Sequence, residues 1–422
     1  HTLEELHDTP VIDKGFYVLL ANNAMLYQLL KEGRREEFRQ AVAWWINAAR
    51  AYTIKLVNPG GAEMWKGGRN ARITDLNAEI DAFGLTPRQV IEELVDTAIE
   101  LGLPHPAHIH CNNLGVAGNV DTTLETMRAI EGRRAHITHI QFHSYGGEFG
   151  GTLTSAAPAI AEYINTHPNI SADVGQVMFG KATGMTADAQ VGWMLYQVTG
   201  NKWVNADTEH ESGCGIVPFT YQDKKYVHAL QWGVGLELFL LSEDPWRMVL
   251  STDHPNGGSF LSYPRLIRLL MDREFRQEQI NAVNQRAIKE TVLLDNLDRE
   301  YTLQEIAIIT RAGPAKLLGL RHKGHLGPGA DADITIYMEQ ADKADMFSPP
   351  RSVLQDGRNI LADGELRTDH EGRVRHVAPA FDPDIENVLR PFFEDYYTIQ
   401  FDNYPVGEEY LHKHEVVPTN GE

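Results

Sequence analysis

Four segments of this sequence place a metal-binding or proton-transferring side chain where a short apolar run gives way to a polar or glycine turn. They are IKLVNPGG around Lys55, AHIHCNNLG around His110, HITHIQFHSYGG around His139, and LSTDHPNGG around Asp253. Imidazole and carboxylate donors without a second thiolate suit Zn2+ first and leave Mn2+ or Fe2+ open. Asp253 offers a carboxylate that could both ligate and shuttle the proton of an attacking water. Lys55 ends a strand in apolar company, where burial lowers an amine's pKa. Such an amine can take up CO2 as a carbamate and bridge two divalent metal ions.

Each residue alone has a plainer reading. A lone lysine usually snorkels to solvent, a lone histidine on an apolar strand is usually a satisfied core residue, and Asp253 could cap a turn. Recurrence at four strand ends favours a shared site. His108 and His110 alternate, so on a strand they face one side. His110, at the very end, is the better ligand, and His108 is expected a layer deeper, hydrogen-bonded to a neighbour. On the next run, His136–Phe142, His139 is expected in the strand body as a ligand. His143, in the turn beyond, is expected to contact substrate, as are Asn112 and Asn113. The loop of Glu209, His210 and Glu211 reads equally as solvated surface or as a substrate gate. Cys111 and Cys214 read as structural.

The elements that must position these residues alternate. Phe38, Ala41, Val42, Trp45 and Ala49 mark a one-sided helix over Glu36–Tyr52, which feeds the β-branched run Thr53–Val57. Thr86-Pro87 is a helix start, followed by an apolar stripe ending at Gly102. The strand Ala107–His110, a helix over Thr122–Ile130, the strand His136–Phe142 and the run Met248–Thr252 follow. Strands alternating with helices imply parallel βαβ units, and many contributing strand ends favour a (β/α)8 TIM-type barrel over an open doubly wound sheet. No G-x-G-x-x-G or Walker loop follows a strand, which argues against nucleotide binding. After Gly319 the texture changes to short β-rich runs punctuated by Pro-Gly and Asp-Gly. We expect a barrel over 1–320, a β-sandwich module over 321–378, and an aromatic extension over 379–422 packed on the barrel or on a partner.

With 422 residues the chain can bury a large core. Its 38 basic and 58 acidic residues give a net charge of −20, which argues against nucleic acid or an anionic membrane as partner. Two cysteines are too few for a disulfide framework and fit a cytoplasmic location. No apolar run reaches the roughly 18–20 residues that span a bilayer. The sequence begins HTLEELHDTP without methionine, so we expect a native N-terminal part to be absent.

The order lysine, histidine, histidine, aspartate at successive strand ends resembles the amidohydrolase superfamily. HCNN at His110 is similar to the HAEN segment of hydantoinases, THIQ at His139 to their second histidine segment, and TDHP at Asp253 to their last-strand aspartate. PAKLLGLRHKGHLGPGADADITIY resembles the return from barrel to β-sandwich. Longer strings, among them IKLVNPGG, LPHPAHIHCNNLGVAGN, HITHIQFHSYGG and DPWRMVLSTDHPNGG, resemble more narrowly the alpha subunits of formylmethanofuran dehydrogenase and of the bacterial formyltransferase/hydrolase complex. The resemblance implies a formamide hydrolase within a multisubunit complex, with an N-formyl-methanofuran or formyl-methylofuran carrier as its substrate. It implies two divalent metal ions, Zn2+ foremost, bridged by carbamylated Lys55 and held by His110, His139 and Asp253. One departure stands out: the H-x-H pair that the superfamily carries on its first strand does not precede Lys55. A cyclic-amide hydrolase and a non-catalytic scaffold are the rival expectations.

Overall fold

The computed structural model describes residues 2–66, 75–149, 151–186, 215–291 and 294–419. Six parallel strands form one sheet in chain order: β1 (Tyr17–Leu19), β2 (Thr53–Val57), β3 (Ala107–His110), β4 (Ala135–Ile137), β5 (Ile170–Asp173) and β6 (Met248–Val249). Helices α1 (Arg35–Ala49), α2 (Pro87–Glu100), α3 (Val120–Ala129), α4 (Ala157–Thr166) and α5 (Tyr226–Leu241) lie between them. This parallel α/β arrangement is that of a TIM-type barrel.

The local reasons are visible in sequence. In α1, Phe38, Ala41, Val42, Trp45 and Ala48 fall on one buried face. The helix stops earlier than its periodicity suggests, because Arg50 takes a left-handed conformation, φ 56°. Its N–H then donates to Asn47 O (3.1 Å) and that of Ala51 to Ile46 O (3.0 Å), turning the chain directly into β2. At the start of α2, Thr86 and Gln89 form a reciprocal capping box, Thr86 N–H donating to Gln89 Oε1 (2.8 Å) and Gln89 N–H to Thr86 Oγ1 (3.2 Å).

Sheet register sets which side chains share a level. Lys55 pairs with His108, His108 with His136, and His136 with Ser171. Neighbouring residues in register point to the same side, so these four face the barrel interior. Their alternates Ala107, Ile109, Ala135, Ile137, Ile170 and Ala172 lie buried under the helices. Barrel interiors are normally filled by branched apolar residues; at this level of β2–β5 the interior is polar.

One expectation is corrected. The strand proposed over His136–Phe142 ends at Ile137, and Ile140–His143 forms a single 3-10 turn. Ile140 and Phe142 are both buried, so a turn mimicked the two-residue period of a strand. Beyond the barrel, β7 (Ile334–Ile336), β8 (Ser352–Gln355), β9 (Arg358–Ala362) and β10 (Glu365–Leu366) make an antiparallel sheet. Asp356-Gly357 and Asp363-Gly364 form its tight turns with positive φ throughout. Val374–His376 pairs in parallel with His414–Val416 instead of extending that sheet.

The final α-helix, Glu386–Tyr396, sets Phe393 against Trp44 and Trp45 of α1. Trp44 stacks on Phe401 at 5.0 Å and donates its indole N–H to Glu386 Oε1 at 3.2 Å. Val406 N–H donates to Ala48 O at 2.8 Å. Replacing Trp44 by Ala is expected to cost about 3 kcal/mol, measured by denaturant unfolding, and to expose the 397–405 segment to protease.

Candidate functional site

The described barrel-strand ends converge on His110, His139 and His143. One ring nitrogen of each lies within 4.8 Å of one ring nitrogen of the other two. The His110 ring meets His139 edge-on at 4.7 Å and His143 at 5.1 Å, while His139 and His143 stack at 5.2 Å. All three are buried. Among the described residues, His139 Nδ1 and both ring nitrogens of His143 have no hydrogen-bond partner. Leaving a buried polar group unmatched costs about 1–3 kcal/mol, so a trio aimed at a common point suits a bound cation. Burial holds all three imidazoles below their ordinary pKa, most strongly His110 and His143. Neutral imidazole is the form that ligates a metal.

The backbone that places them is unusual. His139 sits at φ 35°, a left-handed conformation costly for a residue with a side chain. Gly175, just past β5, lies directly against it. A Cβ there would stand 2.5 Å from His139 Cβ, so only glycine permits the two chains to approach this closely. Gln141 N–H donates to Val174 O at 3.0 Å and fastens the turn.

Lys55 lies on the interior face of β2, half-buried. Burial lowers its pKa against the opposing pull of Asp253 and Asp173. Among the described residues no carboxylate pairs with its amine. Asp253 also acts electrostatically on His139, so the lysine, the trio and this carboxylate share one neighbourhood. Asp253 has φ 46° and accepts a hydrogen bond from Asn256 Nδ2 at 3.0 Å.

The remaining expected residues fall as follows. His143, read from sequence as a substrate contact, stands inside the imidazole trio. Asn112 Nδ2 donates to Pro59 O at 3.1 Å and Asn113 Nδ2 to Thr122 Oγ1 at 2.9 Å. Asn113 turns the chain at φ 64°. Both amides therefore brace the loop after β3. Cys111 is fully buried, its thiol pushed up to about 12 by burial, and is unreactive. The loop of Glu209, His210, Glu211 and Cys214 lies outside the described residues.

One level down is a second polar cluster. His105 Nδ1 lies 2.8 Å from Leu317 O, so it carries the proton and donates. Burial lowers the pKa of His105 to about 3, so its Nε2 is bare and accepts from His108 Nδ1–H at 3.1 Å. His108 stacks on His136 at 5.0 Å. His136 Nε2 meets Asp173 Oδ1 at 3.1 Å, and Ser251 Oγ donates to Asp173 Oδ2. Burial alone would raise the Asp173 pKa; His136 and Ser251 hold it well below the carboxylate range. Asp173 was missed in the sequence, although SADVGQ repeats the signal that marked Asp253: an apolar run, an aspartate, then glycine.

His105, His108, His110, His139 and His143 all have depressed pKa values. In the unfolded chain they titrate near 6.5, so below that pH unfolding takes up protons that the folded state refuses. Stability of the metal-free protein is thus complete above pH 6.5 and is expected to fall as pH drops below it. Urea midpoints between pH 7 and 5 check this; a flat profile contradicts the buried neutral imidazoles.

The chain matches the amidohydrolase family over residues 1–365. It is 41% identical to the protein FwdA of Methanocaldococcus jannaschii, covering 99% of this chain and 77% of that one. It is 40% identical to the alpha subunit of the formyltransferase/hydrolase complex Fhc of Methylorubrum extorquens, covering 95% of this chain and 74% of the relative. Its structure is similar to a chain in the crystal structure of that FhcABCD complex with methylofuran, with TM-score 0.92, 38% identity, and coverage of 99% of this chain and 77% of the other. The converging strand-end residues and these similarities together show that the chain belongs to the amidohydrolase family, in the branch that contains FwdA and the alpha subunit of the Fhc complex.

Proposed function

We propose that this chain is the subunit that hydrolyses, or in reverse forms, a formamide on a methanofuran-type amine, yielding formate and the free amine. The observation that carries the reading is the trio of neutral, buried imidazoles beside Lys55 and Asp253, in which nitrogens of His139 and His143 find no match among the described residues. The crystallised Fhc relative holds methylofuran, which supports a furan-linked amine as substrate. Assembly with further subunits, as in FhcABCD, and a cytoplasmic location belong to the same proposal.

Two divalent cations, Zn2+ foremost, would be held by His110, His139, His143, Asp253 and the carbamate of Lys55. The orphaned nitrogens of His139 and His143 fit such a group. When bound, it lowers the pKa of water and polarises the formyl oxygen. Lys55 suits carbamylation because only a neutral amine attacks CO2, and burial favours its neutral form.

The protein's own steps follow from placement. Asp253 accepts the proton of the attacking water at its carboxylate and delivers it to the formamide nitrogen, which must be protonated to leave. The Asn256 amide holds one Asp253 oxygen, so the other is the one that takes the proton. Asn112 and Asn113 brace the loop that carries His110, so their part in substrate recognition is to fix that loop.

An N-formyl amine, offered to the assembled complex beside a hydantoin and a dihydropyrimidine, tests the reading. Formate release from the formamide alone is expected; turnover of only the cyclic ureides overturns it. Lys55→Ala and Asp253→Asn are each expected to lower kcat by about 1000-fold or more. His143→Ala is expected to lower bound metal and kcat together. If His143 instead only contacts substrate, that variant raises KM and leaves the metal in place.

A further inference from the structure

The end of β5 offers no residue to the hydrolytic site described above, yet it touches both segments that do. Toward His139, Gly175 underlies the side chain so closely that a Cβ would meet it at 2.5 Å, and Val174 O accepts from Gln141 N–H. Toward Asp253, Gln176 N–H donates to Ser251 O at 2.8 Å and Gly175 N–H to Ser251 Oγ at 2.8 Å. Met178 N–H donates to Gly257 O at 2.8 Å, and a Cβ on Gly257 would lie 2.5 Å from Thr252 O and 2.9 Å from Gly175 O. The 251–257 loop is therefore laid flat against 175–178.

Ser251 is the centre of this seam. Its hydroxyl has one proton, and that proton goes to Asp173 Oδ2. The oxygen is thereby left to accept from Gly175 N–H. A carboxylate is what fixes this direction: it is acceptor-only when ionised. The other Asp173 oxygen is held by His136 Nε2, so the carboxylate cannot swing away. Asp253, two residues beyond Ser251, keeps its left-handed backbone, φ 46°. Strain of that kind persists only where surrounding contacts over-determine it.

We propose that Asp173 is a positioning residue that acts through Ser251 to hold Asp253 at a fixed distance from His139. Asp173 accepts from Ser251, Ser251 accepts from Gly175, and Gly175 carries His139, so the proton shuttle and the imidazole trio are referenced to one strand end. The effect on turnover rests on the formamide reading; the clamp itself does not.

The test uses the intact complex with Asp173→Asn, Ser251→Ala, the double variant, and Ser251→Thr, which keeps the hydroxyl. Backbone amide exchange over 251–257 is read first, because it needs no substrate. Asp173→Asn and Ser251→Ala are each expected to speed that exchange about tenfold or more, and Ser251→Thr to keep it near the wild-type rate. Formamide kcat is expected to fall about 10- to 100-fold in both, with KM changed less than threefold, because a misplaced shuttle costs chemistry and not binding. The double variant is expected to be no worse than the weaker single one, since both break one link.

Exchange and kcat both unchanged in the two single variants overturn the proposal, as does a double variant whose losses multiply. A wild-type complex inactive on formamides, with exchange still accelerated in the variants, sinks the formamide reading and leaves the clamp standing.

Discussion

The cost of burying ring nitrogens without partners is the constraint on which this site depends. His139 and His143 enclose three nitrogens that nothing in the described protein satisfies, and His110 stands against both. Each unmatched group works against folding by about 1–3 kcal/mol. A fold carries such a debt where a ligand discharges it, and neutral imidazoles meeting at one point name a cation as that ligand. The rest of the architecture serves to keep them there: polar groups at the level of Lys55, His108, His136 and Ser171, and loops locked at backbone angles that most residues avoid.

Asn58, Asn113, His139 and Asp253 all adopt positive φ, and all lie just beyond strand ends. Such positions concentrate at functional sites because the chain must leave the strand sharply to present a side chain inward. In each case the turn is held by contacts from the neighbouring element, as Thr122 holds Asn113 and Gly175 lies against His139. The deeper layer of His105, His108, His136 and Asp173 extends the same design downward. Its hydrogen bonds fix tautomers one after another from the Leu317 carbonyl upward. This layer also accounts for the barrel's tolerance of polar interior faces, since each group in it that is buried has a partner.

Much of this was legible in the sequence. Strand Ala107–His110 and the Thr86 start of α2 were marked by alternation and by capping chemistry, both local properties. Lys55, His110, His139 and Asp253, singled out because each ends an apolar run, come into one neighbourhood in the fold. His108 was placed a layer below His110 by alternation alone, and its bond to His105 lies there. What was not legible was non-local. His143 read as a loop contact because Ile140–His143 mimics a strand, and the close approach of Gly175 to His139 comes from a segment 36 residues away. That the amides of Asn112 and Asn113, read as substrate contacts, also meet the Pro59 carbonyl and the Thr122 hydroxyl is set by tertiary packing. Asp173 was passed over although its local signal resembles that of Asp253, because its partners, His136 on β4 and Ser251 just past β6, are brought to it only by the fold.

The most direct test of the account is metal content together with the intact mass of Lys55-containing peptides, measured on protein prepared with zinc and bicarbonate. The account predicts two metal ions per chain and a CO2 adduct on Lys55, both lost in Lys55→Ala. An unmodified lysine in a chain that binds no metal under these conditions would contradict it, and would leave the three imidazoles without a ligand to explain them.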